Sequence, residues 1–167
     1  MIEVVVDDLA FVRADAVLRP ADDRLEPVQG AAARLDERAG PRFAELRRLN
    51  SPLIVGAAVI TGAGDLTAPL VLHAVIQSLD QKVSADTVRR ALTSAWQRAA
   101  QWQLMSIATP LVGVGAGQLP AEEAARLLLA TWNDPLRRAE FPLALTIVVE
   151  RERDRDEILP IFALSSR

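Results

Sequence analysis

The sequence has no cysteine, one histidine and one lysine, and each scarcity closes a route. Without thiols there is no disulfide framework, no cysteine nucleophile and no thiolate metal site. A lone histidine, His73, cannot build a histidine-rich metal cluster, so neither a metal nor a cofactor is expected. Lys82 stands in a polar loop, which removes most lysine-based chemistry, and the other basic side chains are all arginine. No apolar run approaches the roughly 18 residues of a membrane span. The opening run Ile2–Val6, followed by Asp7 and Asp8, does not read as a secretion signal, so a cytosolic chain without a membrane partner is expected. No repeat, linker or low-complexity tract interrupts the 167 residues, half of them hydrophobic, which predicts a single domain over 1–167. A net charge of −3 argues against a surface given over to nucleic acid.

What the chain does have is a stretch at 106–120 in which an apolar strand runs into three glycines at alternate positions and then a helix. Gly113, Gly115 and Gly117 leave backbone N–H groups uncovered, and the helix opening near Pro120 adds its positive dipole end. The loop can therefore cradle a phosphate or diphosphate without a lysine, or simply make a tight turn. Around it, strands are expected at 2–6, 16–18, 57–61, 70–75, 106–109 and 143–149. Helices are expected at 31–38, 42–49, about 84–103 and 121–132, with a last one after the charged run 150–157, where Pro160 should kink or limit it. Strands and helices alternating in this way predict an α/β fold, a three-layer α/β/α sandwich with a mixed central sheet. Such sheets bind ligands beyond the strand C-terminal ends, here the loops at Asp7-Asp8, 19–30 and 113–117.

Five blocks in order then resemble the ADP-ribose-binding macro domain family. They are Asp7-Asp8-Leu9; Asp15-Ala16-Val17; Ala39-Gly40-Pro41; Gly56 to Thr61 with Val71-Leu72-His73-Ala74-Val75; and Ser106-Ile107-Ala108-Thr109-Pro110 with the glycine loop. The resemblance implies that Asp8, beside Leu9, accepts a hydrogen bond from the adenine amine, where the residue-level alternative is a turn cap. It implies that Gly113, Val114, Gly115, Ala116 and Gly117 donate backbone hydrogen bonds to the diphosphate and its ribose. Gly30, Ala31 and Ala32 would face the diphosphate from a second helix start, and Val149 would pack on adenine where the family often carries an aromatic ring. His73 is expected to be a hydrogen-bonded core residue, and Trp96, Trp102 and Trp132 core or interface anchors.

Hydrolytic members of the family carry asparagine at the position of Asp22 and often at that of Arg19, then a glycine run, and several carry aspartate where Ala32 stands. Here both asparagines are gone and Pro27-Val28-Gln29-Gly30 replaces the run. Asp22 remains a candidate ligand contact and general base, although an ion pair with Arg19 would occupy it. The expectation is a binding module for ADP-ribose or a related adenine nucleotide, free or attached to a protein or nucleic acid. The alternatives are an ADP-ribosyl or O-acetyl-ADP-ribose hydrolase using Asp22, and a degenerate scaffold that touches RNA through its arginines.

Overall fold

The computed structural model describes residues 1–28, 30–115, 118–137 and 140–163. Its elements run β1 (Ile2–Val6), β2 (Ala16–Asp22), α1 (Gly30–Ala39), α2 (Pro41–Leu46), β3 (Ala58–Gly62), β4 (Leu70–Gln77), α3 (Ala85–Gln101), β5 (Ser106–Thr109), α4 (Ala121–Trp132), β6 (Ala144–Val149) and α5 (Glu152–Ala163). The six strands form one sheet in the order β1-β6-β5-β2-β4-β3, parallel except for the antiparallel β3 edge.

Side chains alternate across a strand, so neighbouring residues feed different layers. Leu18, Leu72, Ile107 and Ile147 join the core under α3, α4 and α5. Their neighbours Val17, Val71, Ala108 and Val148 join the core under α1 and α2, with Leu35, Ala39 and Phe43. The result is the three-layer α/β/α sandwich.

α3 is the best-specified helix. Ser84 accepts from Thr87 N at 3.1 Å and Thr87 Oγ1 accepts from Ser84 N at 3.0 Å, a reciprocal capping box. Trp96 is buried, meets Trp132 edge-on at 5.3 Å and donates to Thr131 Oγ1 at 3.0 Å. Trp102, at the C-cap, is 53% exposed and anchors no core. Asp15 fastens the base of the sheet, its Oδ2 accepting from Met105 N at 2.6 Å.

Two elements run past a proline. β2 does not stop at Leu18 but continues through Pro20 to Asp22. Its ladder with β5 covers only Ala16 and Val17, so beyond that point one side of β2 needs no backbone donor and tolerates proline. α5 likewise runs through Pro160, which faces solvent, where water can satisfy the carbonyl that loses its partner.

Candidate functional site

Beyond the C-terminal ends of β1, β6 and β5, two adjoining cavities of about 420 and 360 Å³ share Ala31, Arg34, Pro110, Val148 and Glu150 in their walls. Asp7, Asp8 and Leu9 close the first, against Leu35 and Arg38 of α1. Gly30, Val114, Gly115 and Val149 line the second, with Arg151 and Asp154 at the start of α5. The walls are therefore apolar side chains and glycine backbone, and the rim is charged.

The β1 end is held by its own carboxylates. Asp7 N donates to Val149 O at 3.1 Å, which extends the β1–β6 ladder, and Asp8 N donates to Asp7 Oδ1 at 2.7 Å. Asp8 Oδ1 accepts from Ala10 N at 2.9 Å, and Phe11 N donates to Asp8 O at 3.0 Å. Asp8 thus caps a turn and also lines the cleft.

The glycine loop divides its labour. Gly113 has φ +94°, and a Cβ there would lie 2.8 Å from Val88 Cγ2 and 3.1 Å from Leu119 Cδ1, so close packing on α3 excludes a side chain. Leu119 N donates to Gly113 O at 3.0 Å and closes the loop. Gly113 shapes the wall, while Val114 and Gly115 line it. Ala116 and Gly117 lie outside the described residues.

Among the described residues of the segment between β2 and α1, none of 19–28 lines either cavity. Asp22 Oδ1 accepts from Arg24 N and Glu26 N, both at 2.9 Å, and Ala21 bridges Pro27. Leu25 adopts φ +62° and is fully buried with Ala21, Val55 and Val75, apolar burial offsetting an unfavourable backbone conformation. Asp22 therefore holds its own loop together, and it is not paired with Arg19. Ala32 is buried, 1% exposed, and lines neither cavity.

The expected Arg19–Asp22 ion pair is replaced by another. Arg19 is fully buried and forks onto Asp36 of α1, with Nε–Oδ1 and Nη2–Oδ2 both at 2.6 Å. Its Nη1 donates to His73 Nδ1 at 3.2 Å. His73 Nε2 then donates to Thr61 Oγ1 at 2.8 Å, whose own proton goes to Gly62 O at 2.9 Å, which fixes the neutral imidazole. Burial, and then the nearby Arg19 and Arg47 guanidiniums, hold the His73 pKa well below its ordinary 6.5. Phe43 stacks on His73 at 5.8 Å. His73 is thus part of a buried strut joining β2, α1, α2, β3 and β4.

Arg34, Val148 and Glu150 line the cleft although no motif marks them. Strand alternation sends Val148 to the α1 face and Val149 to the opposite one, and Arg34 lies four residues after Gly30, on the same helix face.

The chain can now be set beside known proteins. Residues 19–128 match the Macro domain family. An uncharacterized protein of Mycobacterium tuberculosis is 30% identical over 128 residues, 77% of this chain but 36% of the relative, so the chain spans about a third of that protein's length. An O-acetyl-ADP-ribose deacetylase of Enterobacter sp. (strain 638) is 30% identical over 147 residues, covering 84% of this chain and 82% of the enzyme. Among solved structures, a Trypanosoma brucei macrodomain in complex with ADP-ribose superposes with a TM-score of 0.83 at 20% identity, covering 96% of this chain and 68% of that one. With the family matched over most of its length and the fold in agreement, this chain belongs to the macro domain family.

Proposed function

We propose that the protein binds ADP-ribose or a closely related adenine diphosphate nucleotide, and does not turn it over. The observation that carries this reading is the convergence of Asp8, the start of α1 and the Val114-Gly115 wall on one cleft at the strand ends. Diphosphate would lie between Gly30 and Gly115, where backbone N–H groups and a helix start favour an anion. Adenine would pack on Val148 and Val149, with its amine donating to the Asp8 carboxylate. The Trypanosoma brucei neighbour with ADP-ribose bound supports the same ligand class.

The β2–α1 loop supports binding without turnover. A hydrolase needs a base or a water-orienting group within hydrogen-bond reach of the distal ribose. Arg19 is committed to Asp36 and His73, and Asp22 accepts two backbone N–H groups of its own loop. The deacetylase name of the Enterobacter relative keeps hydrolysis as the second reading. Saturable binding of ADP-ribose, together with no release of ADP-ribose from a glutamate- or aspartate-modified protein under single-turnover conditions, is the expected result. Release that disappears in Asp22→Ala would make the protein a hydrolase with Asp22 as its base.

A further inference from the structure

One ion pair crosses the cleft: Arg34 Nη2 of α1 meets Glu150 Oε1, the residue that follows β6. Both residues line both cavities. The Arg34 guanidinium folds back along its helix, with Nη1 3.2 Å from where a Cβ on Gly30 would stand. It therefore lies against the wall assigned above to the diphosphate, and the carboxylate facing it is an anion of the chain itself.

We infer that Arg34 is a diphosphate-binding residue and that Glu150 is its internal competitor, exchanged for the ligand when the nucleotide enters. This rests on the proposed binding of an adenine diphosphate in the same cleft. Each partner's side chain is 58% exposed, and an ion pair that open is weakly held and cheap to exchange. A guanidinium can fork onto two phosphate oxygens as it does onto a carboxylate, and a diphosphate carries more charge than Glu150. The other rim arginines are engaged elsewhere: Arg151 bonds to Asp154 at 2.8 Å, and Arg38 lies over the Phe11 ring at 5.5 Å. Glu150 thereby sets a threshold, since a ligand without a strong anion at this point gains nothing by displacing it.

The test is a double-mutant cycle on ADP-ribose affinity, measured by titration calorimetry. Glu150→Gln should tighten binding about two- to fivefold, the scale of a released surface ion pair. Arg34→Met should weaken it about tenfold, the scale of a lost charged hydrogen bond. In the Arg34→Met background, Glu150→Gln should have no further effect. Unchanged or weaker binding by Glu150→Gln, or normal binding by Arg34→Met, would overturn the inference. A gain from Glu150→Gln that persists in the double variant would also overturn it, because Glu150 would then act on the diphosphate only through space. Absence of ADP-ribose binding by the wild type would instead sink the proposed function on which the inference rests.

Discussion

Arg19 has no exposed surface, and removing it strands two partners at once, Asp36 and His73. Truncating one side of a buried ion pair leaves a desolvated charge, so Arg19→Asn should cost about 3 to 5 kcal/mol in urea unfolding. The variant should gain no hydrolytic activity, although it restores the asparagine that hydrolytic relatives carry. His73 adds a pH dependence of defined sign. The unfolded chain takes up a proton near 6.5 and the folded chain only at lower pH, so this stability is complete above 6.5 and is lost as pH falls towards the folded value. His73→Gln should show a smaller stability loss than wild type between about pH 7.5 and about pH 5.5. Asp8 separates binding from folding: Asp8→Ala should weaken ADP-ribose binding by about 1 to 3 kcal/mol while costing about 1 kcal/mol of stability through the lost turn cap. At this scale His73 was legible as a core residue because it sits inside an apolar strand. Its partner Arg19 was not, because Asp36 lies on another element and no local spacing links the two.

The elements around the cleft differ in how openly the sequence announces them. The glycine loop is plain in the alternation of Gly113, Gly115 and Gly117, but only packing separates the first two. Gly113→Ala should destabilise the fold by about 1 to 3 kcal/mol, because it combines φ +94° with a Cβ 2.8 Å from Val88. Gly115→Val should abolish ADP-ribose binding, because Gly115 lines the cleft, and should also cost about 1 to 3 kcal/mol of stability, because its φ is +153°. Normal ADP-ribose binding by a folded Gly115→Val chain would mean that the loop is a structural turn throughout. The β2–α1 loop was harder to read. Its polar composition suggested an active-site segment, whereas Leu25 pins it to a satellite core with Val55 and Val75, which are distant in sequence. Burial of one side chain by tertiary neighbours leaves no local signature. The same holds for β2, whose proline suggested an end that its one-sided ladder does not require.

At the scale of the whole molecule, alternation of strands and helices was enough to predict three layers and a cleft at the strand ends, because both follow from burying two sheet faces. The charged rim was not visible, since Arg34 and Glu150 lie 116 residues apart and meet only in the fold. The molecule combines a cleft wall that exposes backbone at Gly30 and Gly115 with a carboxylate at the β1 end, which supports the nucleotide binding proposed above. Titration calorimetry of the wild-type chain with ADP-ribose measures this binding without an intermediate. A saturable isotherm with one ligand per chain, lost in Gly115→Val, is the expected result; a wild-type chain that takes up no ADP-ribose, or a Gly115→Val chain that binds it as tightly as wild type, would contradict nucleotide binding in this cleft.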